Sequence, residues 1–375
     1  MKKLFELLGL DKPIKGDFGI EIEAEGKGLK VADGGKYWRS EDDGSLRGRF
    51  PDSRHEWVFK QPIAKSDIRK AVQELVEIQK DAKVYFSFRT STHVHVNVQE
   101  LTYDQILSMV YIYLLFEEKL VDFCGEGRKA NRFCLRMQDA EAYVDLLAQL
   151  FRKGGVGLIR IPKDTYRYAA MNLEALSKYG SIEFRSMRGT LEEGVIVPWT
   201  EMLHGIRKYA LSVKNVIEVE EEMLKLGPND FAKKVFGVKN SKLLGGDFEG
   251  SVSASYSLTL ELPYAYKAWE KAPKKDEEEA EAPKRIWAKA PPIPQAPVAP
   301  VRAPKQIPRA FYAFDYPEIE AGDDFNSWKD KLIKLQNARL MVAIRKAQED
   351  AAVRLRGRQA DVIFHDDIVD FNMAV

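Results

Sequence analysis

Three short segments alternate aliphatic and ionisable residues strictly enough to require a sheet with one dry face and one polar face. In FGIEIEAEG, Ile20 and Ile22 fall on one side of a strand and Glu21, Glu23 and Glu25 on the other, because side chains two apart share a face. In THVHVNV, His93, His95 and Asn97 oppose Val94, Val96 and Val98. In SIEFRSMRG, Glu183 and Arg185 oppose Ile182 and Phe184, and Arg188 follows just beyond. Each pattern taken singly fits a solvated surface strand or a surface ion pair. The three together predict aliphatic faces on one core and polar faces lining one cleft.

The periodicity predicts strands over residues 17–25, 56–59, 84–98 and 181–187, and helices over 66–80, 102–123, 138–151 and 198–213. Strands interleaved with helices, without a regular alternation, indicate an α+β fold with a mainly antiparallel sheet flanked by helices. This core is expected over residues 1–270.

Nine of the 17 prolines lie between Pro273 and Pro308, beside the acidic run Asp276–Glu279. Alternating Pro and Ala with few aliphatic residues builds neither helix nor core, so 271–309 reads as an extended Pro-rich linker. Residues 310–375 carry the aromatic cluster FYAFDY and then an amphipathic helical pattern from Trp328 to about Leu355. A lone helix cannot bury its own stripe, so this helical C-terminal tail is expected to dock on the core, another subunit or a protein partner.

With 58 Lys and Arg against 57 Asp and Glu, the chain lacks the cationic surplus of a generic nucleic-acid binder. Two cysteines argue for a reduced, cytoplasmic protein rather than a disulfide framework. The most apolar run, Ile106 to Phe116, is far shorter than the roughly 20 residues that span a bilayer, so no membrane segment is expected.

Carboxylates two apart on one strand repel unless a cation sits between them, which is the condition a divalent metal site creates. A His-x-His pair admits structural and zinc readings as well. The segments DDGSLRG, HEWVF and YRYAAMNLEAL add Asp42, His55, Glu56, Arg167, Asn172 and Glu174 near the same cleft. For each alone, a turn, strand start or helix cap is the plainer reading.

In this order, FGIEIEAEG, DGSL, HEWVF, HVHV, RYAAMNLEAL and SIEFRSMRGTL resemble the amidoligase family over roughly residues 17–215. That family is grouped with carboxylate–amine ligases of glutamine synthetase-like fold. One departure is Thr90-Ser91-Thr92, where relatives usually have a glycine before His-x-His. The resemblance implies metal ligands at Glu21, Glu23, Glu56, His93 and Glu183, and ATP contacts from His93, His95 and Asn172. It implies catalytic arginines at Arg185 and Arg188, with Arg167 beside them.

The implied activity is ATP-dependent carbon–nitrogen ligation through an acyl phosphate, with Mg²⁺ or Mn²⁺ as cofactor. Small-molecule or peptide carboxylates and amines would be the substrates. Relatives among tailed-phage gene products make a host-cytoplasmic location part of that expectation. Two alternatives accompany it: an inactive binding or assembly protein that keeps the fold, and a metal-dependent hydrolase built on His93 and His95.

Overall fold

The computed structural model describes residues 2–44, 46, 53–129, 131–153 and 168–271. The chain divides at residue 286, and all of these residues belong to its first unit. The expected linker and tail, and Arg167, lie outside the described residues.

In chain order the elements are α1 (Leu4–Leu7), β1 (Phe18–Lys27), β2 (Trp38–Glu41), β3 (Arg54–Phe59), α2 (Ile68–Ile78), β4 (Lys83–Tyr85), β5 (Ser91–Asn97), α3 (Tyr103–Cys124), α4 (Glu141–Lys153), β6 (Met171–Asn172), α5 (Ala175–Tyr179), β7 (Ser181–Arg188), α6 (Glu193–Ser212), α7 (Val216–Leu226), α8 (Pro228–Leu243), α9 (Glu249–Thr259) and α10 (Glu261–Lys271). The fold is α+β. The described strands form one seven-stranded open sheet in the order β2-β3-β1-β5-β7-β6, with β4 pairing β1 off that path. Every strand pairing in it is antiparallel.

One face of the sheet is dry. Ile20 and Ile22 of β1, Trp57 of β3, Val94 and Val96 of β5, and Ile182 and Phe184 of β7 are all buried in one core. α3 fills this core. It is apolar nearly all round and is buried accordingly, from Tyr103 to Cys124. Its start is fixed by a capping box, in which Gln105 donates its backbone N–H to the Thr102 hydroxyl and accepts from the Thr102 N–H through its side chain. Phe116, further along α3, meets Phe231, Phe236 and Phe248 and so joins the sheet layer to α8 and the start of α9.

The segment 84–98 forms two strands rather than one. β4 ends at Tyr85 and β5 begins at Ser91. Between them the Ser87 carbonyl accepts from the Thr90 N–H and hydroxyl, turning the chain. The helix expected from Pro198 begins at Glu193 instead, and Pro198 lies inside it, one backbone hydrogen bond short.

A second irregularity lies on β7. Thr92 pairs with Met187 and Val94 with Phe184, so β7 carries one extra residue across that interval. Ser186, which reaches Tyr113 of α3, and Met187 both turn to the core side. The bulge therefore returns Arg188, opposite Ser91, to the polar face that strict alternation would deny it.

Candidate active site

On the open face the strand registers stack polar residues in rows. Glu41 of β2 pairs with Glu56 of β3, and Glu56 with Glu23 of β1. In the next row Arg39 pairs with Val58, Val58 with Glu21, and Glu21 with His93. The third row runs from Gly19 to His95, Glu183 and Asn172. Residues opposed across antiparallel strands share a face. The register thus brings Glu21, Glu23, Glu56, His93, His95, Asn172 and Glu183 together, from segments as far apart in the chain as β1 and β7.

Side-chain contacts tighten this group. His93 Nδ1 lies 3.3 Å from Glu21 Oε2 and 3.6 Å from Glu183 Oε1. His95 Nε2 lies 3.3 Å from Glu21 Oε1, and its Nδ1 is 3.1 Å from Ser181 Oγ. Ser91 donates both its N–H and its hydroxyl to Glu23 Oε2, at 2.9 and 2.7 Å, and its oxygen also meets His93 Nε2 at 2.9 Å. Asn172 donates to Glu183 Oε2 at 2.7 Å, and Arg185 donates to the other oxygen of the same carboxylate. Glu23, His93, Asn172 and Glu183 are each buried.

The electrostatics follow from burial and neighbours. Burial pushes the Glu21 carboxyl up, but hydrogen bonds and charge from His93 and His95 more than offset it and hold Glu21 well below the ordinary carboxylate range. Burial likewise raises Glu183, and Arg185 with the two imidazoles brings it below its ordinary value. His95 is raised: burial opposes its charge, and Glu21 and Glu183 restore it. Glu56 has no such cation among the described residues. Burial, then the charges of Glu21, Glu23, Asp43 and Glu41, push it up to about 8.

These side chains fit divalent cations. Ligand atoms of Glu21, His95 and Glu183 lie within 4.8 Å of one another, and so do those of Glu21, Glu56 and His93. The two sets share Glu21. Carboxylates outnumber imidazoles in them, a donor balance suited to Mg²⁺ or Mn²⁺. Arg185 is largely buried, and its Nε is a buried atom with no hydrogen-bond partner among the described residues.

Arg188 is engaged differently. Its guanidinium lies 3.4 Å from the Cys124 carbonyl at the end of α3. Arg128 is buried and donates to the Arg185 and Ser186 carbonyls, each at 2.8 Å, fastening the loop after α3 to β7.

A cavity of about 270 Å³ opens beside His95 and Glu21, above Gly19. Its polar walls are already occupied by backbone: Lys60 donates to the Asp33 and Gly35 carbonyls, and Asn97 to those of Ile14 and Gly16. Ile14, Val58, Phe59, Pro62 and Tyr179 give the cavity apolar lining, and Arg39, Glu41 and Gln99 line it with polar groups.

Several contributors escape a sequence reading. Glu41 and Arg128 belong to no motif, Ser91 and Ser181 lie in or beside motifs that assign them no role, and Gly19 contributes by lacking a side chain. Alternation in WRSE is the only signal that could have placed Glu41 on this face.

No helix among the described residues is long and apolar enough to cross a membrane, and Cys124 and Cys134 are buried free thiols. No curated protein matches the chain. Residues 52–206 match the family model described as "Putative amidoligase enzyme", a span that holds Glu56, His93, His95, Asn172, Glu183, Arg185 and Arg188. The match supports assigning that span to the amidoligase family.

Proposed function

We propose that the protein is an ATP-dependent carboxylate–amine ligase with a glutamine synthetase-like cleft, working in the cytoplasm. The observation that carries this reading is the pair of overlapping donor sets around Glu21, with Arg185 hydrogen-bonded beside them at Glu183. The family match over residues 52–206 supports ligase chemistry in general. A carboxylate and an amine do not condense unaided in neutral water, so the acid needs activation. In the proposed sequence the γ-phosphoryl group of ATP passes to a carboxylate oxygen and ADP leaves. The amine nitrogen then attacks the carbonyl carbon, inorganic phosphate departs, and the amine yields a proton.

Glu21, Glu23, Glu56, His93 and Glu183 would hold the divalent ions. Such ions, when bound, neutralise phosphate charge and orient the transferring group. Ser91 keeps Glu23 oriented, and Asn172 does the same for Glu183. Arg185 would turn its guanidinium charge toward the developing phosphoryl charge, and loss of such a donor typically costs about 10²–10³ in rate. Arg188 and Arg167 are assigned to the same end of the cleft by resemblance alone. The cavity above Gly19, with Ile14, Val58, Phe59, Pro62 and Tyr179 in its lining, suits the base of the nucleotide, with its phosphates toward Glu21 and His95.

The hydrolase reading is less well supported. A catalytic zinc site usually takes three close protein ligands with imidazole or thiolate prominent, whereas carboxylates dominate here. The experiment is to supply ATP, Mg²⁺ and pools of amino acids and measure ADP release. Release that requires both a carboxylate and an amine, and disappears in Glu21→Gln and Arg185→Gln, supports the ligase. ADP release indifferent to Glu21→Gln sinks it, and tightly bound zinc in the purified protein favours the hydrolase.

A further inference from the structure

Outside the carboxylate cluster, two loops at the Arg185 end of the sheet build an exposed aromatic and cationic platform. The Arg89 guanidinium lies 5.3 Å from the Phe88 ring centre and 5.7 Å from that of Phe133, while Arg132 lies 4.8 Å from Phe133. Phe133 in turn meets Tyr168 edge-on. Phe88 remains 66% exposed. Among the described residues neither Arg89 nor Arg132 pairs with a carboxylate. An arginine stacked on a ring keeps its fork of N–H donors free in the guanidinium plane, the geometry that takes a carboxylate with two parallel hydrogen bonds.

Arginines also lie on aromatic rings merely to cover apolar surface. Two features set this pair apart. The first is rigidity. The Asn131 side chain donates to the Phe88 and Gly127 carbonyls and accepts from the Phe133 N–H, tying the two loops together. Arg128 in the second loop fastens it to the Arg185 and Ser186 carbonyls. The second is position. Arg89 lies two residues before Ser91, which holds Glu23, and Ala170 donates its N–H to the Leu135 carbonyl while its own carbonyl accepts from the Arg185 N–H. The platform is therefore braced against the strand that carries Arg185.

We infer that the Phe88–Arg89 and Arg132–Phe133 platform binds a second, non-reacting carboxylate of the acid substrate, which makes that substrate a polyacid. This rests on the ligase reading, since the reacting carboxylate is the one lodged near Arg185. The chemistry fits both a small di-acid and an acidic peptide.

The test is equilibrium binding at low salt without ATP, using labelled tetraglutamate, with glutarate and butyrate as competitors. Full-length wild type should bind tetraglutamate, and Arg89→Gln with Arg132→Gln should weaken it about tenfold or more, equivalent to about 1.4 kcal/mol. Glutarate competing in wild type but not in the double variant identifies a small di-acid as sufficient. Tetraglutamate binding without glutarate competition identifies a peptide. Butyrate should compete in neither protein. An unchanged melting temperature guards against misfolding. Glu21→Gln should retain tetraglutamate binding even as ATP turnover is lost, so failure of the ligase reading and failure of the platform are separable. Equal affinity in wild type and double variant, no binding of either acid, or preference for oligothymidylate would each overturn the inference.

Discussion

At the residue scale, the carboxylates of the cleft differ in what surrounds them. Glu21 and Glu183 face imidazoles and Arg185 and are held ionised, whereas Glu56 faces Glu21, Glu23, Asp43 and Glu41 and is pushed up to about 8. At pH 7 Glu56 therefore holds a proton that a cation must displace. Mn²⁺ affinity should rise with pH up to about 8 and level off above it, with proton release detectable by calorimetry in buffers of different ionisation enthalpy. Glu56→Gln should flatten this dependence. Asn172→Ala should weaken Mn²⁺ binding about 10–100-fold while sparing the fold, the usual cost of losing a group that orients a ligand. Gly19 offers a cleaner lever on the nucleotide. A Cβ there meets His95 Cβ at 3.5 Å, an ordinary contact, so Gly19→Ala should fold and bind ATP. Gly19→Val or Gly19→Leu should fill the cavity and weaken ATP binding while leaving Mn²⁺ binding intact.

At the scale of elements, α3 carries a buried carboxyl, Glu117, which accepts from the Met137 N–H at 2.8 Å. Burial pushes it up to about 8, only partly opposed by that hydrogen bond and by Arg136. The raised value favours the protonated folded form. Between the unfolded value near 4.5 and about 8, the unfolded chain has lost the proton and the folded one keeps it. Stability should therefore fall as pH rises through that window, by up to about 1.4 kcal/mol per pH unit, and stay level above it. Glu56 contributes a decline of the same sign. Glu117→Gln keeps an acceptor for Met137 and should remove its share, read as a flatter denaturation midpoint against pH. Phe116→Ala should cost about 3–5 kcal/mol, because it empties the space shared with Phe231, Phe236 and Phe248. That is enough to expose α8 and α9 to early hydrogen exchange.

For the whole molecule, the even count of 58 basic and 57 acidic residues conceals local imbalance. The rows through Glu41, Glu56 and Glu23 gather negative charge on one part of the sheet, and Arg89, Arg132, Arg185 and Arg188 gather positive charge at another. Cation binding should couple to global stability. Saturating Mn²⁺ at about a hundred times its dissociation constant should add about 2.7 kcal/mol and raise the melting temperature. Glu56→Gln should melt with wild type near pH 5 and above it near pH 8 when metal-free, yet gain less from Mn²⁺.

Much of the site was legible because period-2 alternation is a local property. Glu21 and Glu23, His93 and His95, and Glu183 and Arg185 share faces wherever their strands go. The dry faces and the α+β class follow from the same pattern. Register is not local. That Glu23 opposes Glu56, Glu21 opposes His93, and His95 opposes Glu183 depends on strand pairings across long stretches of chain. The bulge that turns Arg188 to the cleft, the serine that orients Glu23, and the space above Gly19 arise from packing between elements distant in sequence. The sequence by itself determined which side chains stand ready on each strand. Only the tertiary structure decided which of them share charge, because that depends on distances set by the folded sheet.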